Sequence, residues 1–384
     1  MPDARFIYLD YQATTPLDLR VLDSMRPYLS ECFGNPASFH ARGVEAAMAV
    51  EQARKSVARE LGVKAREVYF TSGASEGNNL ALKGVARRFG KGHIITCQTE
   101  HKCVLNACLR LEHEGFDVTY LGVDSRGLID LNQLADAIGP DTFMVSIMYG
   151  NNETGVLQDL AAIGRLTRER GLILHCDATQ AMGQVSLRPA ELGVDLLTFS
   201  AHKLYGPKGV GAIYIGQRLL DEHLIACEID GGGQEFGLRG GTLNVPGIVG
   251  LRKALEIARL EQAQSTERLA SLRKVLLEGL ADCDFICNTP LDTSLAHCMN
   301  LSFPGVNGQG LLQNLGSLAI STGSACNTGS QKPSHVLTAM GVATHLISSS
   351  VRLSVGRPTS EADVQVAAGR MAEAIKRARR PIPA

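Results

Sequence analysis

Short apolar runs of four to six residues recur through the first part of the chain: EVYF at 67–70, HIITC at 93–97, DVTYL at 117–121, FMVSIM at 143–148, LILHC at 172–176 and DLLTFS at 195–200. Most are apolar at consecutive rather than alternate positions, as strands buried on both faces are. Between them lie stretches such as 157–168, with apolar residues at three- and four-residue spacing, which predict helices. Strands alternating with helices predict an α/β fold: a large domain with a mostly parallel sheet flanked by helices. From 251 to 280 the pattern becomes one long helical stretch that can connect to a second unit. Beyond it, HCMNLSF at 297–303 and SVRLSV at 350–355 predict strands, and 361–377 predicts a closing helix. The expected division is a large domain over 15–255 and a smaller α/β domain made of 1–14 and 256–384.

Composition narrows the function. A chain of 384 residues with 45% hydrophobic and 20% charged side chains has the balance of a globular enzyme. Thirty-eight basic and 39 acidic residues give a formal charge of -1, which encodes no broad attraction to nucleic acid or membrane. The local basic run Lys376, Arg377, Arg379 and Arg380 reads as the last turn of a helix complementing its dipole. No signal-peptide pattern opens the chain and no apolar run approaches the ~20 residues of a membrane span, so a cytoplasmic protein is expected. Ten cysteines without CxxC pairs predict reduced, mostly buried thiols rather than a disulfide framework or a metal site.

Three predicted strand ends carry the candidate chemistry. FSAHKLYGPKG places Ser200, His202 and Lys203 where open α/β sheets bind ligands, beyond the carboxyl ends of their strands. LILHCDATQ brings Asp177 and Gln180 to the same edge. A lysine that can bond covalently to an aldehyde, with a carboxylate that keeps a pyridine nitrogen protonated, is the pair pyridoxal phosphate requires. VYFTSGASEGNN runs into a helix near Ser75, whose first N–H groups, with the small Gly73 and Ala74, predict a phosphate cradle.

These segments resemble the cysteine desulfurases of the NifS/IscS type, within the class V aminotransferases of fold type I. The resemblance runs in order through YLDYQATTP, FGNPAS, FTSGASEGNN, TEHK, NNETG, HCDATQ, SAHKLYGPKG, GLRGGT, STGSAC and SVRLSVGR. It implies that His101 stacks on the cofactor ring and handles protons, and that Asn152 and Gln180 hydrogen-bond the cofactor's phenolic oxygen. It further implies that Arg352, assisted by Asn35, binds the α-carboxylate of L-cysteine. Thr242 is expected to reach the phosphate of a neighbouring subunit, hence a homodimer. Ser75, Ala201 and Thr322 replace residues common in the family, but hydroxyl or small size is retained.

Cys326 decides the expected reaction. It sits in STGSACNTGSQKPSHVL, a polar, glycine-containing stretch that reads as a loop, where a thiol can be exposed and ionise. The loop is placed at about 321–333, with Gly323 and Gly329 flanking the nucleophile. The resemblance then implies transfer of sulfur from L-cysteine to Cys326 as a persulfide, release of L-alanine, and delivery to a sulfur-acceptor protein. Iron-sulfur scaffold assembly, tRNA thiolation and DNA sulfur modification all fit as destinations. Housekeeping relatives carry a longer C-terminal tail that helps dock the cluster scaffold, whereas here Ala384 closely follows the last predicted helix. A selenocysteine lyase, another amino-acid lyase or an aminotransferase keeps the same fold and cofactor. A persulfide carrier without catalysis is the more distant alternative.

Overall fold

The computed structural model describes residues 5–322 and 333–379. Gly323, Cys326, Gly329 and the rest of 323–332 therefore lie outside the described residues.

Seven strands form the principal sheet: Val68–Thr71 (β1), His93–Cys97 (β2), Asp117–Leu121 (β3), Thr142–Ser146 (β4), Ile173–Asp177 (β5), Leu196–Ser200 (β6) and Gly211–Ile215 (β7). Their spatial order is β1-β7-β6-β5-β4-β2-β3. The β2–β6 pairings are parallel, while β7 runs antiparallel to both β6 and β1. Six of the predicted runs become strands, displaced by no more than two residues at their ends. The antiparallel β7 was not foreseen, because its GAIYI segment follows directly on the glycine-rich turn that drew the reading toward a loop. Gly211 opens β7 for a steric reason: a Cβ there would sit 2.5 Å from the Phe199 carbonyl oxygen and 2.8 Å from Gly73 Cα.

Successive strand residues enter two different cores, which explains the continuous apolar runs. Val145, Leu174 and Leu197 pack with the helix Ala41–Leu61, whereas their neighbours Met144, Ile173 and Leu196 pack with Ala74–Phe89 and Lys102–His113. Each such side chain contributes roughly 1.5–3 kcal/mol by leaving water. The helix Val245–Gly279 begins six residues before the predicted start, where the Asn244 side chain accepts from Gly247 N and Pro246 occupies the first turn. Its residues Val245 to Ile257 pack in the core of the large sheet, and Leu269, Leu272 and Leu276 pack in a separate one.

That second core surrounds the antiparallel strands Ile286–Cys287 (β8), Cys298–Ser302 (β9) and Ser350–Ser354 (β10), in the order β10-β9-β8. Ile7 and Leu9 join it from the start of the chain, and the helix Glu361–Ala378, opened by a Ser360/Asp363 capping box, covers it. No helix among the described residues is long and apolar enough to cross a membrane. The nine described cysteines are all free, five of them buried.

Candidate active site

A cavity of about 510 Å³ opens beyond the carboxyl ends of β1, β4, β5 and β6, within the range of small-molecule sites. Strand direction puts Asp177 and Ser200 there, as the last residues of β5 and β6, and Lys203 follows in the turn Ala201–Lys203. Lys203 Nζ donates to the carbonyl oxygens of Gln12 and Ala13, so residues from the start of the chain hold the amine at the cavity wall. Gln180 Nε2 donates to the same Gln12 carbonyl at 3.1 Å.

Asp177 is buried and accepts from Asn78 Nδ2 at 2.7 Å and from Thr179 N at 2.9 Å. On the β1 side, Gly73 precedes the helix Ala74–Phe89 with φ +151°, a conformation L side chains rarely adopt. Ala74 N donates to Ser200 Oγ at 2.8 Å, which ties the helix start to the end of β6. His202 Nδ1 lies 3.1 Å from Thr14 Oγ1, and burial together with the Lys203 and Lys208 cations pushes its pKa down to about 4.

His101 does two jobs. It is the N-cap of Lys102–His113, its Nδ1 accepting from Cys103 N at 3.2 Å, and it also lines the cavity. Burial lowers its pKa against the opposing pull of Asp177, so the neutral ring is favoured at pH 7.

The cavity fits pyridoxal phosphate by its own polar inventory. Asn152 Oδ1 and Thr179 Oγ1 are buried without a hydrogen-bond partner, and both residues line it. Such groups are costly unless a ligand or water satisfies them. An amine, a buried carboxylate and a small-residue helix start face one space of suitable size.

Sequence-predicted residues outside this set divide. Arg352 on β10 is buried but does not line the cavity: Nη2 pairs with Asp10 at 2.7 Å, Nη1 donates to Asn152 O at 2.8 Å, and Nε has no partner. Asn35 does not join it. That side chain is exposed and closes a local turn by accepting from Ala37 N at 2.9 Å, so its expected assistance to Arg352 is absent within one chain. Thr242 is exposed and away from this chain's cavity, although Arg239 in the same loop pairs with the cavity-lining Glu76 at 2.9 Å.

The sequence reading missed Asn78, Glu100, Cys103, Glu153 and His175. Asn78 is fully buried near the start of a helix, a polar residue on an apolar face, and this was the one usable signal. Glu100 is fully buried, accepts from Met148 N at 2.5 Å, and is pushed toward its neutral form by burial and by Asp177. Burial also raises Glu153, which accepts from Ser334, to about 7.

This fold and this strand-edge site are those of a pyridoxal-phosphate transferase, and the comparisons agree. Residues 7–366 match the aminotransferase class-V family, to which the chain belongs. It is 48% identical to a protein of Anaeromyxobacter sp. (strain Fw109-5) named cysteine desulfurase IscS, over 98% of this chain and 94% of that one. Among solved structures, a NifS-like protein superimposes with a TM-score of 0.91 at 39% identity, covering 96% of this chain and 99% of the other. A structure described as SspA in complex with cysteine gives a TM-score of 0.82 at 40% identity, over 91% and 98% of the two chains. The cofactor is pyridoxal phosphate, as it is throughout this family.

Proposed function

We propose that the protein is a cysteine desulfurase that converts L-cysteine to L-alanine and passes the sulfur, through Cys326, to an acceptor protein. The observation that carries the reading is the Lys203 amine at a strand end, in one cavity with buried Asp177 and the helix start at Ala74. Bound there, pyridoxal phosphate supplies an electron sink for the carbon chemistry of the amino acid.

The chain's own groups divide the remaining work. Lys203 would anchor the cofactor and, as a free amine, would take the substrate's α-proton. Asp177, held by Asn78 Nδ2 and Thr179 N, would keep a proton on the pyridine nitrogen. Ala74 N, Ser75, Ser200 and His202 would cradle the phosphate. Asn152, whose Oδ1 has no partner fixing the amide, and Gln180 would turn amide N–H groups toward the phenolic oxygen. Arg352 would take the substrate carboxylate by exchanging its contacts with Asp10 and the Asn152 carbonyl for it. The Cys326 thiolate then attacks the substrate sulfur: an S–S bond forms as the C–S bond breaks, and the carbon fragment is protonated and leaves as alanine.

A homodimer is part of this reading. Phe33, Phe39 and Met48 are 72%, 101% and 58% exposed, and Phe39 and Met48 flank the same surface hollow as Val44. Apolar surface of this kind supports an interface with a second copy. Thr242, exposed on its own chain, would then complete the neighbour's phosphate site. The acceptor is an iron-sulfur scaffold or a thiolation enzyme, and the reaction takes place in the cytoplasm.

Purified protein should be yellow, bleach with borohydride, and release alanine and sulfide in equal amounts from cysteine and a thiol reductant. A protein that stays colourless after incubation with pyridoxal phosphate would refute the proposal.

A further inference from the structure

Behind the cavity wall, a set of buried groups links two of the residues that line it, Asp177 and His101. Asn78 Oδ1 receives Thr198 Oγ1 and lies 3.2 Å from His175 Nε2, while His175 Nδ1 lies 2.8 Å from Ser146 Oγ. Asn78 Nδ2 contacts Asp177 Oδ2 at 2.7 Å and Cys103 Sγ at 3.1 Å. Cys103 Sγ in turn lies 3.0 Å from His101 Nδ1.

Chemistry gives these contacts a direction. A carboxylate only accepts, so the amide of Asn78 must turn its NH2 toward Asp177 and its oxygen toward Thr198 and His175. Its second N–H then points at Cys103 Sγ, to which the Ser75 side chain also hydrogen-bonds as a donor, and with both of these donating, the thiol proton is directed to His101 Nδ1. That nitrogen already accepts from Cys103 N, so it carries no proton of its own. In the neutral ring the proton is on Nε2.

We infer that Asn78 and Cys103 are positioning residues that join Asp177 to His101 through one directed hydrogen-bond chain and fix His101 as the Nε2–H tautomer. His101 then serves the site as a hydrogen-bond donor with its lone pair engaged. Removal of the α-proton is left to Lys203. The thiol suits the relay: burial and the nearby Asp177 carboxylate push it up to about 12, so it stays protonated and able to donate. The catalytic meaning rests on the cofactor reading above, but the geometry does not.

The test uses cofactor-free full-length protein labelled with ¹⁵N-histidine. Wild-type His101 should show Nε2 protonated and Nδ1 as a hydrogen-bonded acceptor. Cys103→Ala should move the Nδ1 resonance toward that of an unbonded ring nitrogen, and Cys103→Ser, which keeps a donor and an acceptor, should restore it. Asn78→Ala should shift the same resonance although it does not touch His101. In the holoenzyme, Cys103→Ala should slow cysteine turnover between about twofold and tenfold, the weight of one hydrogen bond, with recovery in Cys103→Ser. An Nδ1 resonance unchanged in Cys103→Ala, or a wild-type ring protonated at Nδ1, overturns the inference. Failure of the protein to bind pyridoxal phosphate would instead overturn the proposed function and leave the tautomer result standing.

Discussion

The edge of the large sheet and the β10 strand of the small one meet near the same cavity but are prepared differently. At the large-sheet edge, Asp177, Ser200 and His101 are each oriented by hydrogen bonds from adjoining elements, and Lys203 is held by two backbone carbonyls. Arg352 on β10 is instead engaged by Asp10 and the Asn152 carbonyl, and it stands off the cavity lining. The half proposed to hold the cofactor is set in advance, which is how a site avoids reorganising during reaction. The half assigned to the substrate carboxylate is held by a buried ion pair that substrate binding has to accommodate.

Breaking the first half should have the larger effect. Lys203→Ala should lose more than about a thousandfold in turnover, because anchoring and proton transfer fail together, and it should lose the visible absorption of the lysine-bound cofactor. Assays of alanine formation and absorption spectra check both. Turnover within tenfold of wild type would mean that another amine serves the site.

Breaking the second half should act on substrate binding while the colour is retained. Arg352→Ala should lower kcat/KM for cysteine about a hundredfold, the scale of a charge-assisted contact, mostly through KM. Asp10→Asn should have a smaller effect of opposite sign, lowering KM about threefold, because the substrate carboxylate no longer competes with Asp10 for Arg352. A normal KM in Arg352→Ala would remove this residue from the substrate site.

The same contrast marks what the sequence could and could not disclose. Asp177, Ser200 and Lys203 were legible because strand ends share one edge of a parallel sheet, so local patterns sufficed to place them together. Asp10 and Arg352 are 342 positions apart, and no local signal pairs them. Asn78 and His175 were hidden by periodicity: each occupies a position where an apolar residue would fit equally well, and only the partner groups explain its polarity. Strand β7 was missed because a glycine forced by crowding looks like a turn glycine. Asn35 and Thr242 were read from motifs whose purpose a single chain does not complete.

The smallest expected effect is on stability against acid. Burial lowers His175, His297 and His202 from 6.5 to about 4, so each folds as a neutral ring. Their contribution is fully present above the unfolded value of 6.5 and is lost as pH falls toward 4. Glu153, raised from 4.5 to about 7, works in the opposite sense, its contribution fading as pH rises through that interval. Burial also lowers His93, His101 and His335 and raises the carboxyls Glu60, Glu100, Asp195 and Glu228, so the ring contribution is read by difference: the denaturant midpoint of His297→Gln should fall less than that of wild type between pH 6.5 and 4.5. Parallel profiles for the two proteins would contradict a buried neutral imidazole at His297.

The division of labour itself, carbon chemistry at Lys203 and sulfur transfer at Cys326, is tested most directly by peptide mass spectrometry of the holoenzyme after exposure to cysteine without reductant. The peptide containing Cys326 should gain one sulfur atom, and Cys326→Ala should keep its colour while losing both that adduct and sulfide release. Full sulfide release by Cys326→Ala, or the added sulfur on a different cysteine, would contradict the account.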